Sequence, residues 1–389
     1  MAVIRSSDLD FDQIKTNLKT YLEQQDEFSD YNFEASGLSN ILDVLAYNTH
    51  INGLIANFGI NESFLGSAQL RSSVVSHAET LGYFPRSRTG AAATITLTIS
   101  TSVTDVTTVT IPQYTTFTTV IDNISYTFQT LEEYTATNDG AGLFTVVDST
   151  GSTSIRVVEG LLKTKTFIVG DTTDEQVYVI PDVNMDTSTV VVNVYDTTTS
   201  ASYATYTNVN SAIRIDADST IYILREAPNG YYEITFSDGN ILGSSPVAGN
   251  KIEIQYLQTN GPDANDGTVF VADDQIDVGG TDYILTPTLV SRSAGGAEKE
   301  TIASIKANAP LAFASQQRLV TADDYKALIL RNYSAVLDDV TSWGGNDNVP
   351  PEYGKVFVSL KFKTNIPEAI QQTTKDSIIT QLSDNLAIM

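Results

Sequence analysis

The sequence predicts a multidomain α+β protein: N-terminal helices, a long, mainly antiparallel β region with an inserted β domain, and a C-terminal α/β module. Three observations predict it. Apolar residues recur every three to four positions through the first ninety residues, alternate with polar ones from about Ala92 to Val290, and return to helical spacing after Gly295 and Gly296. The regions read as 1–90, 91–290 and 291–389, with the insertion over about 140–230.

In the first region Asp10 can cap a helix, with Gln13 at the third position and Leu9 and Ile14 placed as a hydrophobic staple. Phe11, Ile14, Leu18, Tyr21 and Leu22 form its stripe. Leu38, Ile41, Leu42, Leu45, Ile51, Leu54, Ile55 and Phe58 predict a second helix stopping at Gly59, and a third is expected from about Asn61 to Gly82. Stripes without a sheet of their own must be buried together or against another protein. A partner-shared bundle is therefore expected, with Ile14, Leu18, Leu22, Leu38, Leu42 and Leu45 at its interface.

The β region opens with "ATITLTIS" and "IPQYTTFTT", rich in the β-branched residues that suit a pleated surface, and the turn signals "NDGAG", "STGSTS" and "PNG" divide its insertion. After Gly296, residues 298–308 and 322–332 read as helices separated at Pro310, which cannot donate to a helix ladder. Asp323 and Asp324 fall at the start of the second, where the helix dipole favours carboxylates. Strands are expected at about 335–342 and 355–362 around the loop "WGGNDNVPPEYG", and a final helix at 367–386. That α-β-β-α order calls for one more strand. The module is expected to be incomplete at Met389: either the chain is a truncated form, or a partner completes the sheet.

Charge and composition narrow the function. The net charge is −25, and residues 90–290 hold 25 acidic groups against 6 basic ones. Such a field repels phosphate backbones and anionic lipid, so neither nucleic acid nor a membrane is expected as partner. The chain has no cysteine and only two histidines, His50 and His77, both on predicted helices, which leaves little for a thiolate metal site or a Ser-His-Asp triad. No glycine-lysine phosphate loop or dinucleotide fingerprint occurs, so neither glycine pair suggests a nucleotide and no cofactor is expected. Adjacent acids such as Asp273 and Asp274 are read as solvated loops, and "GPDANDG" as turn chemistry, since it lacks the distant glutamate of an EF-hand. The rival is a glycan-binding adhesin with Tyr203, Tyr206 or Tyr222 as stacking platforms; the same tyrosines serve equally as cross-strand packers.

The stretch 231–265 resembles the signature of Baseplate J-like proteins of contractile tails, at Phe236, Asp238, Gly239, Gly243, Gly249, Asn250, Tyr256, Thr259, Gly261 and Asn265. A second block follows in order at Gly295, Gly296, Glu298, Asn308, Ala309, Pro310, Arg318, Val320, Thr321, Asp324 and Tyr325. The N-terminal stretch from "SDLDFDQIK" to "RSRTGA", with "WGGNDNVPPEYGKVFVSLKFK" later, is similar to the wedge subunits of T-even-type phage baseplates. The resemblance implies a structural, non-catalytic part of the virion tail, assembled in the host cytoplasm. It implies as partners a second copy of the chain and a larger wedge protein, joined through a helical bundle, together with sheath-initiator and clamp-like wedge subunits. In such wedges, rearrangement of a ring around the hub carries host recognition to sheath contraction. Gly239, Gly243 and Gly261 are read as turn residues needing positive φ, not ligand contacts.

Overall fold

The computed structural model describes residues 10–28, 33, 37–171, 176–211, 215–237, 239, 243–315, 322–333, 336–363, 366, 371–372, 374–375, 378–379 and 382. The chain divides into two compact units, one of residues 1–83 with 302–309, the other of residues 84–301 with 310–389.

Among its described residues up to 83, the first unit holds α1 (Phe11–Glu23), α2 (Gly37–Glu62) and α3 (Arg71–Thr80). Asp10 caps α1 by accepting from Gln13 N at 3.0 Å, and Lys15 of α1 pairs with Asp43 of α2. Helix α2 does not stop at Gly59. A glycine costs a helix about 1 kcal/mol but keeps its N–H, and the last turn is tied off by Asn61 Nδ2 to Asn57 O at 2.7 Å and Ser67 Oγ to Asn61 O at 2.7 Å. The third helix is shorter than its spacing suggested. Residues 63–70 turn back instead, with Ala68 N donating to Phe64 O at 2.9 Å.

The second unit begins with a sheet of nine strands, to which β1 (Ala92–Ser100), β2 (Thr108–Ile111), β3 (Thr116–Ile121), β4 (Ile124–Thr130), β5 (Tyr134–Asn138), β6 (Leu143–Val147) and β7 (Ile155–Glu159) contribute in sequence. The chain then leaves for a seven-stranded sheet made of β8 (Leu161–Ile168), β9 (Tyr178–Ile180), β10 (Met185–Tyr195), β11 (Tyr203–Asn208), β12 (Ile221–Glu226), β13 (Tyr232–Phe236) and β14 (Lys251–Gln258). It returns through β15 (Val271–Ala272), forms a ribbon of β16 (Gln275–Val278) and β17 (Thr281–Ile284), and completes the first sheet with β18 (Thr286–Ala294). The insertion read at about 140–230 is thus drawn differently: the second sheet spans Leu161 to Gln258, while β6 and β7 pair with β1 in the first.

Strand β1 organises the first sheet because it bonds on both edges, to β18 on one side and to β7 and then β6 on the other. Its alternation buries Ala93, Ile95, Leu97 and Ile99 on one face, against Phe117, Phe128 and Phe144. Each such side chain contributes about 1.5–3 kcal/mol on burial. In the second sheet Val192 of β10 faces Ile254 of β14, and Tyr178 and Tyr206 meet Phe236 edge to face at 5.8 and 5.2 Å.

The last elements are α4 (Ile302–Ser315), α5 (Ala322–Tyr333), β19 (Leu337–Gly344) and β20 (Val356–Phe362). Pro310 does not separate two helices; it lies inside α4. Proline forfeits one bond, to the carbonyl of residue 306, and the alanine-rich neighbourhood "ANAPLAFAS" supplies enough helix propensity to continue past it. The division between the two units falls at this residue. Ile329 of α5 packs with Leu337 and Val340 of β19 and with Ile378. Of the final helix read at 367–386, the described residues 371–372, 374–375, 378–379 and 382 are helical.

Two carboxylates join the sheets of the second unit. Glu159, at the end of β7, accepts from Thr259 Oγ1 at 2.6 Å and from Asn260 Nδ2 at 2.8 Å just past β14. Asp186, in the irregular stretch of β10, accepts from Gly90 N at 2.8 Å, ahead of β1. Gly160 makes the crossing possible: its φ is +147°, and a Cβ there would stand 2.8 Å from Leu257 Cβ. Gly160→Ala should therefore destabilise the second unit by about 1–3 kcal/mol through steric strain, read as a lower thermal midpoint of the β signal; an unchanged midpoint would remove the glycine from this role.

Candidate partner-binding site

Helix α2 is apolar on two faces. The inner face, with Leu42, Ala46, Asn57 and Asn61, is buried within the first unit, Leu42 to 2% exposure. The outer face carries Ile41, Val44, Leu45, Ile55 and Phe58; Val44 is 67% exposed and Ile55 60%. Residues 44–61 contain no Asp, Glu, Lys or Arg. Exposed apolar side chains clustered on one uncharged helix face mark a contact surface, so the outer face is the candidate site.

The six residues read as one bundle interface do not form one surface. Ile14, Leu18, Leu22 and Leu38 are half-buried, Leu42 is enclosed by its own unit, and Leu45 is exposed. Sequence reasoning had merged the two faces of α2 and passed over Val44, whose spacing from Ile41 and Ile55 was the available signal.

The turn after α2 is held by Glu62, whose carboxylate accepts from Gln69 N at 2.7 Å and Leu70 N at 3.2 Å, while its carbonyl oxygen lies 2.8 Å from His77 Nε2. Desolvation pushes this carboxyl up, but hydrogen bonds from Gln69, Ser73 and Leu70 outweigh it and hold the group below its ordinary value.

The motif residues fall in three places. Phe236 and Tyr256 are buried in the core of the second sheet, where the Tyr256 hydroxyl donates to Asp182 Oδ2 at 3.2 Å and burial, with Asp182 beside it, pushes its pKa up to about 12. Gly239 and Gly243 turn nearby with φ of 71° and 75°; Asp238 lies outside the described residues. Gly261, Gly295 and Gly296 meet at the return to the first sheet, with φ of 65° at Gly261 and 85° at Gly295. There Asn265 donates from Nδ2 to Gly296 O at 3.0 Å and accepts at Oδ1 from Gly296 N at 2.9 Å. A Cβ on Gly296 would lie 2.2 Å from Gly261 O, so the two motif blocks need each other's small residues. Pro310, Asp324 and Tyr325 stand apart, in α4 and α5, with Tyr325 buried beside Leu328; Thr321 lies outside the described residues.

Arg88, Glu159 and Asp186 escaped the sequence reading. Arg88 reaches Asn184 Oδ1 at 3.1 Å and Glu298 Oε1 at 2.6 Å, next to the paired glycines. "VVEG" was the one local signal, an acid ending an apolar strand immediately before a glycine.

Two segments of the chain match family models. Residues 10–83 match the helical domain described as "Baseplate wedge protein gp6-like", and residues 321–387 match "Baseplate structural protein gp6, C-terminal domain I". The likeness is to a gp6-like wedge protein. Baseplate wedge protein gp6 of Enterobacteria phage T4 is 30% identical over 382 residues, covering 92% of this chain and 54% of the relative. The chain therefore spans about half the length of that gp6. A chain of the anti-feeding prophage baseplate overlaps 96% of this chain and 69% of its own, at 11% identity and a TM-score of 0.29. One from the type VI secretion TssK-TssF-TssG baseplate subcomplex overlaps 90% and 95%, at 10% identity and a TM-score of 0.37.

A lowered carboxyl pKa means that the stability Glu62 contributes is present above its unfolded value and is lost as pH falls through the folded one. Glu62→Gln should flatten the acid-side loss of helical stability, followed by circular dichroism of the full chain from neutral pH downward. An identical acid profile in both proteins would remove Glu62 from this role.

Proposed function

We propose that this chain is a structural, non-catalytic baseplate wedge protein of a contractile phage tail, located in the virion, whose first unit packs into a helical bundle with other wedge subunits. The outer face of α2 carries this reading: an uncharged apolar surface on a long helix, within the segment that matches the gp6-like helical domain. The partners are a second copy of the chain, a larger wedge protein, and sheath-initiator and clamp-like subunits, and the ring so formed helps pass host recognition to sheath contraction. Residues 41, 44, 48, 51, 55 and 58 follow a coiled-coil a/d repeat with Asn48 as its polar layer, which supports pairing with a like helix. The β region, with Phe236, Asp238, Tyr256 and the Gly261–Gly296 joint, is assigned to the Baseplate J-like class on its motif residues.

A glycan-binding adhesin draws no support from the relatives. Tyr206 and Tyr222 are buried, and the pKa of Tyr222 is pushed up to about 12 by desolvation. Tyr203 packs on Tyr195 at 5.1 Å, as a cross-strand pair would.

Val44→Asp with Ile55→Asp should leave the melting profile of the full chain unchanged and weaken co-assembly with the neighbouring tail gene products by roughly 100-fold or more, since each buried aliphatic side chain is worth about 1.5–3 kcal/mol. The measurement is co-sedimentation of the mixed subunits. Undiminished assembly would sink the reading. Charge at Leu42 would be a poor test, because that residue supports its own unit.

A further inference from the structure

The seven-stranded sheet ends on one side at β9, three residues long, and on the other at β8, eight residues long. Strand β8 runs against β14 from Leu161↔Gln258 to Ile168↔Lys251 without a bulge, and among the described residues it pairs with no other strand. Most of its residues are exposed. Its outer edge therefore presents the N–H and C=O groups of alternate residues to an incoming chain. Folded proteins blunt such an edge by keeping it short, by a proline, a bulge or a cover, or by charge. The β9 edge is short. Strand β8 carries charge instead, as Lys163 and Lys165.

These lysines run against the charge of their surroundings. Residues 90–290 hold 25 acidic groups against 6 basic ones, yet residues 161–170 contain both lysines and no Asp or Glu. In the same sheet Lys251 pairs with Glu253 at 3.6 Å, and Arg225 stands across from Glu233. Among the described residues neither Lys163 nor Lys165 is in an ion pair; Lys165 rests its ammonium 5.7 Å from the Phe167 ring. Lys163 lies across from Tyr256 and Lys165 across from Ile254, so both occupy one face of the edge, two residues apart.

That spacing selects the occupant. A second copy of β8, antiparallel and centred on Thr164, would set Lys163 opposite Lys165 twice, and like charges directly opposite destabilise a strand pair. A strand with carboxylates two residues apart would meet opposite charge at both positions. We propose that the free edge of β8 is a strand-addition site for an extended acidic segment of a neighbouring protein, one with Asp or Glu two residues apart. Main-chain hydrogen bonds supply the affinity, while Lys163 and Lys165 choose the acidic sequence and exclude a second β8. The site is separate from the face of α2 and does not rest on the wedge reading.

The test titrates the full chain with two labelled peptides, one alternating Glu with Val and the other Lys with Val, followed by fluorescence anisotropy. Wild-type protein should bind the Glu peptide saturably, more weakly as salt rises, and reject the Lys peptide. Lys163→Glu with Lys165→Glu should leave the melting profile unchanged, weaken the Glu peptide by roughly 10-fold from its two reversed cross-strand pairs, and admit the Lys peptide. Methylating alternate backbone nitrogens of the Glu peptide should abolish binding, because the ladder is lost. A methylated peptide that binds as well as the parent shows charge attraction alone and overturns strand addition. Wild-type protein that binds neither peptide, or both equally, also overturns it. If Lys163→Thr with Lys165→Thr then self-associates, the lysines only guard the edge.

Discussion

A long helix with two apolar faces cannot leave one of them in water without cost, and α2 has both. Leu42 and Ala46 are buried, while Ile41, Val44, Ile55 and Phe58 on the outer side are exposed, and residues 44–61 carry no Asp, Glu, Lys or Arg. Leaving several aliphatic side chains exposed forgoes several kcal/mol of burial at about 1.5–3 kcal/mol each. That face is therefore available for burial, and the proposed assembly draws on it.

The β region of the second unit is held together in a different way. Its two sheets are cored by separate sets of side chains, one around Phe117, Phe128 and Phe144, the other around Phe236, Ile234 and Ile254. What joins them is polar: Glu159 and Asp186 receive backbone and side-chain donors from across the joint, and Arg88 ties Asn184 to Glu298. Burial raises the pKa of Glu159, while bonds from Thr259 and Asn260 oppose that shift. Hydrogen bonds of this kind demand defined geometry, which a sliding apolar contact does not, so the joint fixes the angle between the sheets.

Much of this was legible in sequence and some was not. The alternation of "ATITLTIS" was legible because a strand has period two, and the structure buries Ile95, Leu97 and Ile99 on one face. The cap at Asp10 could be read because capping is local. Leu42 and Leu45 were read as one stripe because residues three apart lie close around a helix; only the packed unit reveals that one is covered and the other is not. Glu159 and Thr259 are 100 positions apart, and no local pattern encodes such a pairing. The helix through Pro310 shows one breaker overridden by its neighbours, with surrounding alanines outweighing one lost bond.

The central claim is that another subunit covers the outer face of α2. A photo-crosslinking amino acid at position 55 of the full chain, irradiated before and after mixing with the neighbouring tail gene products, tests it directly. The account predicts intermolecular adducts that appear on assembly and map to a helix of a wedge subunit. Assembly that proceeds with position 55 cross-linking only to its own chain would contradict it.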